Sequence, residues 1–217
     1  MREVVLDTET TGLSVSDGDK ITEIGCVEII DKKVTNRTYH VYINPEREVS
    51  KQAANISGLT FGFLKQFKVF KDEYLGFLEF IRDDRLVIHN ATFDIGFLNH
   101  ELSLVGADRI STDRVIDTLA MAKAKYPGSP ATLDALCRRF AIDNSVRLKH
   151  GALIDAELLA SVYIGMSIEL RQNELFTGRK RRSGLNARPK YEIPDRVFEA
   201  SEAELRAHEE CMKKIKN

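Results

Sequence analysis

Four carboxylates and one histidine, spread over three segments, have the types and spacing for metal-dependent chemistry. Asp7 and Glu9 follow an apolar run that predicts the end of a buried β-strand. Because side chains alternate along a strand, both carboxylates point to the same side. Two carboxylates this close repel each other, and bound cations would relieve the repulsion. The alternative is an acidic strand end that lies in solvent. Asp94, His150 and Asp155 supply further candidates downstream.

This set of side chains matches the needs of phosphodiester hydrolysis. Four carboxylates can hold two divalent cations, and Mg²⁺ favours oxygen ligands. Two metals about 3.5–4 Å apart stabilise both the attacking and the leaving oxygen of a phosphodiester. A histidine, with an unperturbed pKa of about 6.5, can take a proton from the attacking water at neutral pH.

The spacing of His150 and Asp155 makes a specific structural demand. Residues five apart on an ideal helix differ by about 140° in direction, so the two side chains cannot converge if both lie on one helix. We therefore expect His150 in the loop before the helix that carries Asp155, and Gly151 favours such a loop.

The elements predicted around these residues form a meander followed by alternating strands and helices. Residues 1–8, 21–30 and 38–43 read as three antiparallel strands joined by short turns. Short strands follow at 86–88 and 115–118. Helices are expected at 51–55, 72–82, 119–125 and 132–140, around Asp94 to about 104, and from about Asp155 to about 170. Asp94 then lies in the first turn of a helix that starts where a strand ends, which is where α/β folds gather their ligand sites. The pattern predicts an α/β fold with a mixed sheet flanked by helices.

Composition limits the class of protein. The chain has 217 residues, 43% hydrophobic and 30% charged, which is typical of a globular protein. It contains no apolar run of about 18 residues and no signal peptide, so we expect no membrane contact and a cytoplasmic location. The three cysteines lack metal-ligand spacing and are expected to be reduced. The net charge of −1 leaves any attraction for nucleic acid to local patches.

Three stretches resemble the motifs of the DEDDh 3′–5′ exonucleases: DTETTG at 7–12, HNATFDIGFLNHEL at 89–102 and HGALIDA at 150–156. The resemblance implies a ribonuclease-H-like fold and two Mg²⁺ or Mn²⁺ ions. It assigns the metal-binding acids to Asp7, Glu9, Asp94 and Asp155, and the general base to His150.

The same resemblance implies a binding site for the 3′-terminal nucleotide of the substrate. The substrate contacts that it implies are Thr10, Gly12, Ser57, Asn90 and Phe93. One position departs from the family pattern, because many relatives have His-Gly where this chain has Ser57-Gly58. If that histidine holds the terminal nucleotide, the contact is altered here.

The segment after the nuclease motifs contains a second resemblance. Gln172, Leu175 and Phe176 match the short Gln-x-x-Leu-Phe peptides that bind bacterial sliding clamps. The alternative is the amphipathic end of a helix, since a pentapeptide can match by chance. Residues 171–190 contain seven basic residues and one acidic residue, which is typical of a flexible linker or a phosphate contact.

The C-terminal segment reverses the sign of the charge. Residues 192–210 contain seven acids and two arginines, and Ser201 with Glu204 forms a capping box for a short helix. A helix this short and polar is expected to become ordered on a partner. The arrangement resembles the family of epsilon proofreading subunits of bacterial DNA polymerase III, in which the C-terminal segment binds the polymerase alpha subunit. We therefore expect an exonuclease domain at 1–170, a clamp peptide and linker at 171–191, and a polymerase-binding segment at 192–217.

The function expected from these features is 3′–5′ exonuclease proofreading at frayed DNA ends. A mismatched end frays more readily because less stacking and pairing must be undone. Two alternatives remain at this point. A DEDDh ribonuclease that trims RNA ends would have the same catalytic residues, and a non-catalytic adaptor for clamp or polymerase would not need the five-residue set.

Overall fold

The computed structural model describes residues 1–145 and 149–177, with residues 170–177 described by their backbone alone. Two single-turn 3₁₀ helices accompany the regular elements. The strands are β1 Arg2–Thr10, β2 Ile21–Ile30, β3 Lys33–Tyr42, β4 Arg85–Ile88 and β5 Val115–Asp117. The helices are α1 Lys51–Ser57, α2 Phe61–Leu64, α3 Phe70–Ile81, α4 Ala91–Leu104, α5 Thr118–Lys125, α6 Leu133–Arg139 and α7 Ala152–Thr177.

A five-stranded mixed sheet in the order β3-β2-β1-β4-β5 organises the fold. β1, β2 and β3 pair antiparallel, whereas β4 and β5 run parallel to β1. The C-terminal ends of β1, β4 and β5 therefore meet at one edge, and α4 and α5 start there. The predicted meander with added parallel strands is confirmed.

The two faces of the sheet bury separate apolar layers. Val4, Leu6 and Cys26 belong to the layer packed with side chains of α3 and α4. Val5 and Val27 belong to the opposite layer, which includes side chains of α6 and α7. Because β1 alternates between the two layers, Asp7 and Glu9 share the face of Val5 and lie beneath α7.

Two strands are longer than predicted. The third strand was expected at 38–43 but begins at Lys33, because Asp31 and Lys32 adopt positive φ angles of 50° and 62° and form a tight turn. Its exposed first half lacks the alternation that would reveal it in sequence. β1 continues to Thr10, with a change of register between Glu9 and Thr10.

The last helix is the longest element. The helix predicted to end near 170 continues through Thr177, so the backbone of the predicted clamp peptide is helical. The expected domain boundary after residue 170 falls within it, and the expected linker and polymerase-binding segment lie outside the described residues from 178 onwards. In the part of the chain that the structure describes, no helix has both the length and the apolar character needed to cross a bilayer.

Candidate active site

The β1 carboxylates are placed by the register of the sheet. Asp7 pairs with Gly25 of β2, and Glu9 pairs with Glu23. Both positions lie at the C-terminal end of β1, and the first turn of α7 lies against Gly25, the β2 partner of Asp7. The prediction that Asp7 and Glu9 share one face is therefore confirmed.

His150 and Asp155 lie close together because His150 is in the loop before the helix that carries Asp155, as predicted. His150 precedes α7, and its backbone amide donates a hydrogen bond of 3.1 Å to the carbonyl of Ile56 at the end of α1. Asp155 lies in the first turn of α7, where its amide donates to the carbonyl of Gly151 at 2.9 Å. The Nδ1 atom of His150 is 3.3 Å from Oδ2 of Asp155.

Glu9 completes a cluster with this pair. One ligand atom from each of Glu9, His150 and Asp155 lies within 4.8 Å of the other two. Asp155 is buried and His150 is exposed, so the cluster has a protein side and a solvent side. The carboxylates of Glu9 and Asp155 at this separation fit a divalent cation, and the imidazole beside them can take a proton from a nearby water.

Asp94 reaches the same end of β1 from α4. The amide and the hydroxyl of Thr8 both donate to its Oδ1 atom, at 3.0 and 2.7 Å. Burial raises the pKa of Asp94 to about 7, against the Thr8 hydrogen bonds that lower it, and the charge of Asp117 adds to the rise. A buried carboxylate with this pKa gains from a nearby cation, so Asp94 also fits a metal site.

A small cavity lies against these acids. Its volume is about 170 Å³ and it includes Glu9 in its wall. The other lining residues come from the end of β1, the following loop, α1 and α4: Thr8, Thr10, Gly12, Leu13, Ser50, Gln52, Ala53, Ile56 and Phe93. The structure therefore brings three of the five predicted substrate contacts, Thr10, Gly12 and Phe93, into one cavity.

Gly12 lies in the bend after β1, where a carboxylate takes the place of its side chain. A Cβ atom at Gly12 would lie 2.2 Å from Oδ2 of Asp19. That carboxylate accepts hydrogen bonds from the hydroxyl of Thr11 and the amide of Ser14, so it fixes the loop after β1. Glycine is required here because the carboxylate occupies the space of a side chain, and the backbone does not need a positive φ.

Ser57 and Asn90 take up positions outside the cavity wall described above. Ser57 is buried, its hydroxyl donates to the carbonyl of Ala53, and it accepts from the amide of Leu59. The hydroxyl is thus committed to the end of α1, and this placement disfavours the predicted nucleotide contact. Asn90 caps the start of α4, is exposed and has a φ of 63°. Its backbone amide donates a hydrogen bond to the carboxylate of Asp117. Its predicted role in substrate binding stays a prediction.

The sequence motifs did not identify several residues that form the site. Thr8 orients Asp94, and Gln52, Ala53 and Ile56 of α1 form a wall of the cavity. Their roles depend on how α1 packs beside β1, which local patterns do not encode. A glycine inside a strand, as at Gly25, is a sequence signal for close backbone approach that could have been read.

Comparison with known proteins relates this chain to exonucleases. The sequence profile of the Exonuclease family matches residues 4–163. The chain is 51% identical over 170 residues to the DNA polymerase III subunit epsilon of Rickettsia felis, covering 77% of this chain and 74% of the relative. It is 44% identical over 173 residues to the subunit of the same name from Escherichia coli, covering 76% of this chain and 71% of the relative.

Solved structures show the same fold. Exonuclease X in complex with 5′ overhanging duplex DNA superposes with a TM-score of 0.61 at 23% identity, covering 82% of this chain and 94% of that one. Exonuclease I of Escherichia coli, in a complex with single-stranded DNA, gives a TM-score of 0.66 at 17% identity, covering 82% of this chain and 42% of that one. With the Exonuclease profile and the epsilon relatives together, this chain belongs to the exonuclease family that contains the epsilon proofreading subunits of bacterial DNA polymerase III.

Proposed function

We propose that Asp7, Glu9, Asp94 and Asp155 hold two Mg²⁺ or Mn²⁺ ions for the 3′–5′ exonuclease reaction of this family. The observation that carries the proposal is the convergence of Glu9, His150 and Asp155 within 4.8 Å. When bound, the ions would polarise the phosphate and stabilise the charge on the attacking and leaving oxygens. All of the proposed ligand atoms are carboxylate oxygens, which hard divalent cations such as Mg²⁺ and Mn²⁺ prefer.

His150 is the proposed general base. It lies at the exposed side of the cluster, where water can reach its ring. It would accept the proton of the attacking water, and the carboxylate of Asp155, 3.3 Å from Nδ1, would stabilise the imidazolium that forms. The bond broken is the one between phosphorus and the 3′ oxygen of the preceding nucleotide, which releases the terminal nucleotide.

The cavity beside Glu9 is the proposed site of that terminal nucleotide. Phe93 is half-buried in its wall, and Leu13 and Ile56 expose apolar surface at 72% and 42%. Apolar and aromatic surface of this kind packs against a base whatever its identity, which suits an enzyme that removes any nucleotide. A mismatched end would enter more often because it separates from its template at lower cost.

Two attachments are proposed for the C-terminal part of the chain. Gln172, Leu175 and Phe176 would bind the sliding clamp, and residues 192–217 would bind the polymerase alpha subunit. The supporting observations are the peptide pattern and the relatives named subunit epsilon. Such a subunit works beside the chromosome, so we propose a cytoplasmic location without membrane contact.

Degradation of a primer annealed to a template strand, in the absence of polymerase, tests this function. The primer carries a 5′ label and ends in either a paired or a mispaired nucleotide, and an RNA strand of the same sequence is run in parallel. We expect stepwise shortening from the 3′ end, faster for the mispaired end, and no shortening when EDTA removes the metal. Degradation of the RNA strand at the rate of the DNA strand or faster would favour the RNA-trimming function instead.

A further inference from the structure

Gly25 lies at the point where α7 meets the sheet. Within the sheet it is paired with Asp7 of β1 on one side and His40 of β3 on the other. A Cβ atom at Gly25 would lie 2.2 Å from the backbone nitrogen of Leu153 and 2.3 Å from the carbonyl carbon of Ala152. Both are backbone atoms of the first turn of α7, so no side-chain rotation could relieve the contact.

This contact is confined to one end of the helix. Val27 and Ile29 follow Gly25 on the same face of β2, and both are buried in the layer shared with α7. Their side chains separate the strand from the helix, whereas at Gly25 the two backbones touch. The close approach therefore occurs beside Asp7 and not along the whole interface.

The two halves of the proposed metal site are carried by the elements that touch at Gly25. Asp7 and Glu9 are on β1, which is fixed to β2 by the sheet. His150 lies in the loop before α7, separated from Ala152 by Gly151, and Asp155 lies in the first turn of the helix. The height of that turn above β2 thus sets the separation between the strand carboxylates and the His150–Asp155 pair.

We propose that Gly25 is a positioning residue whose missing side chain sets the spacing of the metal-binding groups. This inference rests on the proposed metal site. A methyl group at this position lifts the first turn of α7 by the distance that relieves the backbone contact. The ligand atoms then separate, metal binding weakens and the chemical step slows, while the apolar layers under the rest of α7 stay packed.

Gly165 provides a matched control on the same helix. A Cβ atom there would lie 2.8 Å from Cδ1 of Phe140, which is a side-chain atom and not backbone, and Gly165 is remote from the first turn. Both substitutions therefore add one methyl group next to α7. Gly25→Ala adds it at the proposed metal site, and Gly165→Ala adds it far from that site.

The test measures metal binding and turnover separately in the 217-residue chain. Metal binding is followed by the rise of the unfolding temperature with Mn²⁺, which does not depend on activity. Turnover is the single-turnover release of the 3′-terminal nucleotide at saturating Mn²⁺. For Gly25→Ala we expect about a 10-fold or larger rise in the Mn²⁺ concentration at half effect and about a 100-fold slower release. Gly165→Ala should keep the Mn²⁺ midpoint and the rate of the wild type.

Two outcomes would overturn the proposal. The first is a folded Gly25→Ala protein with the metal midpoint and rate of the wild type. The second is a Gly25→Ala protein that is unfolded at temperatures where Gly165→Ala is folded, because Gly25 would then support the whole fold and not the spacing of the site. A wild-type protein without any Mn²⁺ response would instead contradict the proposed metal site.

Discussion

Thr8 directs both of its hydrogen-bond donors at a single oxygen of Asp94. The backbone amide lies 3.0 Å and the hydroxyl 2.7 Å from Oδ1. Because both bonds favour the charged carboxylate, they oppose the burial that raises the pKa of Asp94 to about 7. Thr8 thus links the strand that carries Asp7 and Glu9 to the acid supplied by α4.

The first prediction concerns the pH dependence that Thr8 sets. A metal ion and a proton compete for the Asp94 carboxylate, so activity should rise with pH as Asp94 loses its proton near pH 7. Thr8→Val removes one bond to the charged form, which raises the pKa further and shifts the activity profile to higher pH. A bond to a charged group is worth about 1.5–3 kcal/mol, so we expect a shift of about one pH unit or more.

Thr22→Val is the control for this experiment. Thr22 is also buried, and its hydroxyl has no hydrogen-bond partner among the described residues. Its profile should therefore match the wild type. Identical profiles for Thr8→Val and wild type would show that the hydroxyl does not govern the ionisation of Asp94.

His150→Ala should slow the chemical step and spare substrate binding. General-base catalysis contributes about 10²–10⁴-fold, so we expect kcat to fall by that range while KM changes little. The measurement is a steady-state titration with a single-stranded oligonucleotide between pH 6 and 9. A variant with wild-type kcat across this range would exclude His150 as the base.

The cavity beside Glu9 can be tested through its aromatic wall. Phe93→Ala removes a half-buried ring that also packs on Phe97, with centroids 4.9 Å apart. Base stacking on an aromatic side chain is worth about 1–3 kcal/mol, so KM should rise roughly 5-fold or more. Phe63→Ala serves as the control, since Phe63 is 40% exposed and packs against Tyr42 and Phe67. Equal KM values for the two variants would argue against a nucleotide in this cavity.

The tail prediction separates the two proposed attachments. Removing residues 192–217 should leave exonuclease activity on single strands intact and abolish co-purification with the alpha subunit. Replacing Leu175 and Phe176 by Ala should weaken clamp association and keep polymerase binding, since few side chains carry most of the energy of such peptides. Retention of full polymerase affinity by the truncated chain would contradict the assignment.

The sequence predicted the elements whose signals are local. The strand at 21–30 has the predicted bounds, and the helix expected from residue 51 begins at Lys51. Asp94 lies in the first turn of α4, and His150 precedes α7. These features depend on alternation, caps and spacing, which are encoded within a few residues.

What escaped prediction depends on contacts between distant segments. At Gly12 the carboxylate of Asp19 occupies the position of a side chain, and at Gly25 the backbone of α7 does so. Ser57 lies in α1 but turns inward, whereas Ile56 beside it faces the cavity. The motifs name the acids, but the packing of α1 and α7 against the sheet decides which neighbouring residues share the site.

The central claim is that the converging carboxylates form a metal-dependent catalytic centre, and the most direct test is Asp155→Asn. This substitution keeps the shape of the buried side chain and removes the charge. The measurement is the single-turnover release of the 3′-terminal nucleotide at saturating Mn²⁺, with Glu157→Gln, an exposed site two residues further along α7, as the control. We predict a rate at least about 100-fold below the wild type for Asp155→Asn and a wild-type rate for Glu157→Gln. A folded Asp155→Asn protein that releases the nucleotide at the wild-type rate would contradict the metal-dependent centre.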